Sequence, residues 1–594
     1  MSAIRAARLR VAVVTAVSLS VPVSLLAPMS ARAAPAFDQT STLEAQRVDR
    51  VPTPKLHWAD CSNLSPGAQC ATVPLPLDYD QPKGPQTTIA MLRIKAGDPT
   101  HKIGTLFLNP GGPGGSGVQL AAAAPTFLSP RLLARFDIVG FDPRGTNYSD
   151  NVRCWRTQGE QTAALTGLAT GFPWTGAEKT AYVKSAKAFG KACSTAGQPL
   201  SGSMSTAEVA RDLDVLRRAV GDKQLTYAGF SYGTYLGQVY ANLFPDRVRA
   251  VVIDGVIDPI AWAGTPATAG IPQTARLRSG EGAAKALHEI LIRCGKAGPR
   301  ACSFATTGDP LTNYGAIVAR LKKGPVKLTL PDGTVFPVSY PNLVGVLLSD
   351  LYDPAGSAGI ADALTQLFTA IQAPAAPGTA AAARQSLAGA ALARTVKARR
   401  DSRSAKTPRA AVTPFPAGFP YSNSPEAFQS VLCTDGLNPA DAGKWPAYAD
   451  ANAKVAPDFG PLWTWASAPC ASSTWTVHDE DAYTGPFTRR TVNPVLVIGN
   501  YWDPATNYGS AVKVASLLPN SRLISSDSWG HTAYGTSACV TTAIEDYVLV
   551  KKLPAVGLHC TGDVQPFATS AAGITLQVAT GDHRVPVVPI VPEP

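Results

Sequence analysis

Short apolar runs alternate with amphipathic stretches along much of the chain, and that alternation predicts its architecture. Residues 57–95, as in the stretch "TTIAMLRIKAG" that begins at Thr87, switch between polar and apolar positions and predict early antiparallel strands. "IGTLFLN" and "FDIVGF" are short apolar runs that each end in a turn. "STAEVARDLDVLRRAVG" (205–221) has helical spacing, with Ser205 or Thr206 as N-cap and Gly221 as the stop. "QLTYAGF" then predicts a buried strand, "YGTYLGQVYANLFPD" a helix and "VRAVVIDGV" a further strand. Alternation of this kind predicts an α/β class with a mostly parallel central sheet flanked by helices.

The rhythm breaks after Pro259. Residues 260–425 are helix-rich and Ala-rich, and include a basic low-complexity piece, "AAAARQSLAGAALARTVKARRDSRSAKTPRAAV", which reads as a solvated surface segment. Strand pattern returns at "NPVLVIGNYWDPATNYG" and "SRLISSDSWGHTAYG", and a helix, "ACVTTAIEDYVLVKKL", follows. The expected layout is a core in two parts, 56–259 and 426–560, interrupted by a large helical cap insertion at 260–425. A Pro-rich tail, 561–594, closes the chain.

Composition narrows the class. With 45% hydrophobic and 16% charged residues the chain is globular, and its +11 formal charge is scattered without a nucleic-acid motif, so no nucleic-acid partner is expected. Residues 1–33 have the order of a secretory signal peptide: Arg5, Arg8 and Arg10, an apolar run from Val11 to Leu26, then Ala31-Arg32-Ala33. Pro22 breaks that run, so stable membrane insertion is not expected. Residues 34–55 read as a pro-segment or linker. The even count of 10 cysteines fits bridges formed in an oxidising compartment, and the export signal predicts a secreted, extracellular protein. Pairing neighbours in sequence gives Cys61–Cys70, Cys154–Cys193, Cys294–Cys302, Cys433–Cys470 and Cys539–Cys560, one connectivity among those the sequence allows. No C-x-x-C pair occurs, which weighs against a metal site.

Candidate chemistry centres on "LTYAGFSYGTYLG" (225–237). Ser231 sits between Gly229 and Gly233 where a strand runs into a helix, which fits the nucleophile elbow G-x-S-x-G of the α/β-hydrolase fold. The amide of Tyr232 would then face a developing oxyanion. A serine needs a base, and in this fold the chain order is serine, acid, histidine. Of the 7 histidines, His531 in "DSWGHTAYG" follows a late strand and takes the base position. Asp503 in "GNYWDPATN" takes the acid position; Asp527, four residues before His531, reads better as a turn carboxylate. "NPGGPGGSG" (109–117) offers a second oxyanion donor, Gly112 ahead of Gly111; a phosphate loop is the rival, but the Walker lysine is missing. In "FDPRG", Asp142 and Arg144 read as braces behind these loops.

Together, "NPGGPGGSG", "FDPRGTNYS", "YAGFSYGTYLG", "VIDGVIDP", "VLCTDG", "GNYWDPATNY" and "SWGHTAYG" resemble the secreted bacterial tripeptidyl aminopeptidase family of α/β-hydrolases, related to the proline iminopeptidases. The resemblance spans about residues 57–560. It implies a serine exopeptidase that releases tripeptides from the free N-termini of peptides or proteins, with no cofactor, and a monomer is expected. Pro110 stands where proline iminopeptidases carry histidine, which tilts the reading away from a strict iminopeptidase. Such an enzyme must bind an α-ammonium group, and Asp435 in "SVLCTDG" is the leading carboxylate. A carboxylesterase or lipase would use the same triad, and a non-catalytic hydrolase-fold binding protein is the remaining reading.

Overall fold

A computed structural model describes residues 37–329, 335–372, 415, 419 and 421–568. The signal-peptide reading, the low-complexity stretch and most of the Pro-rich tail therefore lie outside the described residues.

Among the described residues twelve strands follow in chain order: β1 (Ala59–Asp60), β2 (Gln69–Pro76), β3 (Gln86–Ile94), β4 (Gly104–Asn109), β5 (Phe136–Phe141), β6 (Leu225–Phe230), β7 (Val248–Asp254), β8 (Val326–Thr329), β9 (Val335–Val338), β10 (Val495–Trp502), β11 (Ser521–Trp529) and β12 (His559–Thr561). Ten of them form one sheet in the order β1-β2-β3-β5-β4-β6-β7-β10-β11-β12. The pairs β1–β2, β2–β3 and β3–β5 are antiparallel, and every pairing from β5 to β12 is parallel. Strand β6 is buried at every residue between β4 and β7. Its unbroken apolar run is what a strand covered by helices on both faces requires.

Period two divides the core. Phe107 and Val139 face one cluster with Tyr227, whereas Leu106, Leu108 and Ile138 face the opposite cluster with Ala228. A third cluster is helical. Its backbone is Ser279–Ala297, Pro310–Lys322, Tyr340–Leu351 and Ser357–Ile371, and it also takes in Trp445, Phe459 and Trp465. The excursion from the sheet thus runs from Asp254 to Val495, and the boundary expected at 425 falls too early. Helices Trp445–Val455 and Phe459–Trp465 bury their tryptophans among the cap helices, partners no local pattern reveals. The cap is clasped to the strand ends beside the site. Trp502 and Trp529 stack with ring centres 4.9 Å apart, and Lys285 and Arg293 from the cap lie over their faces.

One terminal expectation is revised. The stretch 34–55, read as a pro-segment or linker, carries a helix, Thr42–Asp49, that is built into the protein. Arg47 pairs with Glu44 (2.8 Å), Asp80 (2.6 Å) and Asp481 (2.5 Å). Arg211 pairs with Glu44 (2.9 Å), Glu208 (2.5 Å) and Asp481 (3.1 Å). The partners are far apart in sequence, which hid this lattice from a local reading. The first residues of the tail are likewise held, since Gln565 accepts from Trp529 Nε1 and Arg293 Nη1.

All ten cysteines are bridged, as Cys61–Cys70, Cys154–Cys193, Cys294–Cys302, Cys433–Cys470 and Cys539–Cys560. No helix among the described residues is long and apolar enough to cross a membrane.

Candidate active site

The corner after β6 shows why two glycines flank Ser231. The serine adopts φ 57° and ψ −126°, a strained conformation for a residue with a side chain, and helix Tyr232–Leu243 begins at the next residue. A Cβ on Gly229 would lie 2.3 Å from the carbonyl oxygen of Gly233, and one on Gly233 would lie 2.7 Å from Asn109 Oδ1. Only hydrogen fits at either place. The Ser231 hydroxyl is buried and, among the described residues, has no hydrogen-bond partner.

His531 and Asp503 meet across the ends of β11 and β10. The imidazole Nδ1 lies 2.9 Å from each Asp503 carboxylate oxygen. Amides of Ala505 and Thr506 (2.8 Å each), the Thr506 hydroxyl (2.9 Å) and the Thr532 amide (3.3 Å) also donate to that carboxylate. Burial works to raise the Asp503 pKa, but the neighbouring imidazole and these amides win and hold it below the usual carboxylate range. His531 Nε2, the other ring nitrogen, is buried and lacks a partner among the described residues. Asp527 takes no part in this pairing; it accepts from Trp502 Nε1 at 2.6 Å.

Asp254, at the end of β7, joins the serine and histidine loops. Its carbonyl accepts the Ser231 amide at 3.0 Å, and its carboxylate accepts the amides of Ala533 (2.9 Å) and Tyr534 (2.8 Å), just past the histidine. Burial pushes this carboxyl up to about 6 against those amides. A Cβ on the next residue, Gly255, would sit 3.1 Å from His531 Cε1, so the imidazole overhangs the segment that the serine backbone touches. The sequence reading missed Asp254; the signal was present in "VIDGVIDP", quoted for its resemblance and not for its carboxylates.

The glycine loop after β4 lies against the elbow: a Cβ on Gly111 would approach the Tyr232 amide nitrogen at 2.7 Å. The Gly111 amide is spent on Asn109 Oδ1 at 2.9 Å, whereas Gly112 lines the adjoining pocket. Asp142 braces this loop by accepting from Ser116 Oγ (2.6 Å) and the amides of Val118 (3.0 Å) and Tyr148 (2.8 Å). Arg144, fully buried, binds Asp212 at 2.7 Å and Glu208 at 3.0 Å. Burial would discharge the guanidinium, but these carboxylates more than offset it.

The pocket beside the elbow has mostly apolar walls, including Val256, Ile257, Trp262, Leu277, Phe428 and Leu432. Asp435 is not among its lining residues, and the role expected for it is corrected here. Its oxygens accept from the Thr206 amide (2.7 Å), the Thr206 hydroxyl (2.6 Å) and Trp262 Nε1 (3.0 Å). Thr206 Oγ1 also bonds the hydroxyl of Tyr232. The carboxylate therefore fixes a pocket wall and the residue after Ser231 from behind. Its donors lie 173 to 229 residues away, out of reach of a sequence reading.

Burial pushes the Asp435 carboxyl up to about 7 despite those donors. An acid whose pKa is higher folded than unfolded loses stability as pH rises between the two values, here from about 4 to 7. In Asp435→Asn that change across the window should shrink by roughly 4 kcal/mol, read as unfolding midpoints at pH 4 and pH 8. Peptide and ester turnover should fall by the same factor, as expected of a wall support. Loss confined to free-amine substrates would restore the anchor role.

Two family models match the chain: one described as alpha/beta hydrolase fold over residues 104–272, the other as TAP-like protein over residues 456–560. A tripeptidyl aminopeptidase of Streptomyces lividans is 30% identical over 526 residues, covering 86% of this chain and 87% of that protein. Carboxylesterase B of Mycobacterium tuberculosis is 32% identical over 527 residues, covering 86% and 91%. Serine protease Hip1 of the same organism is 28% identical over 545 residues, covering 86% and 92%.

Proposed function

Because this chain belongs to the tripeptidyl aminopeptidase family of α/β-hydrolases, we propose that it is a secreted serine exopeptidase that removes tripeptides from free N-termini through an acyl-enzyme. The observation that carries this reading is the Asp503–His531 pair beside an elbow serine whose hydroxyl has no other partner among the described residues. In the proposed reaction His531 Nε2 takes the Ser231 proton as Oγ attacks the peptide carbonyl carbon. Asp503 holds the Nδ1 proton and stabilises the imidazolium. The amides of Tyr232 and Gly112 receive the oxyanion; Gly112 is preferred over Gly111, whose amide already serves Asn109. The tetrahedral adduct collapses as the C–N bond breaks, and the imidazolium gives its proton to the leaving amine. Water, deprotonated by His531, then releases the tripeptide from Ser231.

Export by residues 1–33 places the five bridges in an oxidising compartment, which suits them. Carboxylesterase action is the second reading. It is favoured by the apolar pocket walls and by the relative of that name.

Digestion of a defined peptide, with mass analysis of the products, separates the two. A ladder shortened by three residues from the free N-terminus, with the N-acetylated peptide left intact, is expected. Hydrolysis of short-chain esters with both peptides untouched would replace the peptidase reading by the esterase one.

A further inference from the structure

An exopeptidase of this kind must hold an α-ammonium at a set distance from its nucleophile, and with Asp435 committed elsewhere that anchor is unassigned. Asp258 is the one acidic side chain among the described residues lining the pocket. It lies four residues past Asp254, whose carbonyl touches the Ser231 amide. Four residues reach at most about 14 Å, and the three residues of a tripeptidyl group span roughly 10 Å, so the separation is compatible.

The two Asp258 oxygens have different employment. Oδ1 caps helix Pro259–Ala263 by accepting from the amides of Ile260 (3.0 Å) and Ala261 (3.2 Å). Among the described residues Oδ2 holds a single partner, the Lys513 ammonium, at 2.7 Å. The lysine side chain is 42% exposed and the aspartate 15%, so the cation lies on the solvent side of the pair. A lysine open to solvent is weakly held by such a pair, because water screens the charge and the long side chain loses entropy in holding one geometry. A lysine ammonium and a peptide α-ammonium are the same chemical group, one on a flexible stem and the other on a ligand that would also fill the apolar pocket.

Resting on the exopeptidase reading, we propose that Asp258 binds the substrate α-ammonium, and that Lys513 occupies this position until substrate displaces it. Oδ1 keeps the carboxylate oriented through its helix cap while Oδ2 changes partner. The substrates favoured are short peptides with a protonated N-terminus and uncharged, apolar side chains, to suit Trp262, Phe428 and Leu432. An acidic leading side chain would place a second negative charge near Asp258 and is disfavoured.

The test uses the full protein with a free-amine tripeptide anilide and its N-acetyl form, comparing wild type, Asp258→Asn and Lys513→Met. The free-amine to N-acetyl ratio of kcat/KM should fall at least about 10-fold in Asp258→Asn, the cost of leaving an interfacial charge unpaired. It should rise about 3-fold or more in Lys513→Met, through a lower KM, because a weak competitor has gone. The second variant alters an exposed side chain, so the question stays answerable if the first fails to fold. Ratios within twofold of wild type in both variants would overturn the anchor alone, provided the wild type prefers the free amine. A wild type that cleaves both anilides equally would overturn the anchor and the exopeptidase reading together.

Discussion

Ser231→Ala is expected to lower kcat on peptide and ester substrates alike by roughly 10⁵–10⁶-fold, to the level that oxyanion binding and positioning alone provide. The loss should be chemical and not structural. The hydroxyl has no hydrogen-bond partner among the described residues, so its removal strands none. Alanine also keeps the Cβ that the elbow already accommodates at φ 57°. Thermal unfolding should stay within a degree or two of wild type, and a fluorophosphonate probe that labels the wild type should fail to label the variant. Turnover above about one per cent of wild type would mean that another group attacks the carbonyl, since a nucleophile knockout leaves far less.

Asp503→Asn should be nearly as damaging, about 10⁴-fold in kcat. In the proposed triad the carboxylate accepts the hydrogen bond from His531 Nδ1–H, which leaves Nε2 unprotonated to act as base. An amide can donate at that position, which favours the opposite tautomer and turns an N–H toward the serine. The same change tests linkage. Asp503 is held below the usual carboxylate range, so its contribution to stability is present above the unfolded value near 3.9 and is lost as pH falls through the lower folded value. The stability gap between wild type and Asp503→Asn should therefore be widest above about pH 4 and narrow as pH falls below it, read as unfolding midpoints at pH 6 and pH 3. A variant with near-normal kcat would remove Asp503 from the mechanism, whatever its acid stability.

The parts of the site legible in the sequence are those whose cause is local. Gly229 and Gly233 stand two residues either side of the serine because the crowded corner is only that long, and Asp503 and His531 each stand just past a late strand. The parallel strands were legible for the same reason, being short runs buried on both faces. Asp435, Asp258 and the Thr42–Asp49 helix were not, since each takes its role from partners supplied by the finished fold. Asp435 looks like any helix-end carboxylate until Thr206 and Trp262 are brought to it. Asp258 looks like a plain helix cap until Lys513, 255 residues away, reaches its second oxygen. The cap boundary failed likewise, because tryptophans 445 and 465 carry no mark of which cluster will receive them.

The lattice around Arg47 and Arg211 limits how far the N-terminal side can be cut back. Any trimming that removes Glu44 would take from Arg211, almost wholly enclosed, its bidentate counter-charge and leave it Glu208 and Asp481 alone. A cut that spares this lattice falls upstream of that glutamate, and an affinity tag replacing residues 41–50 would excise part of the folded body.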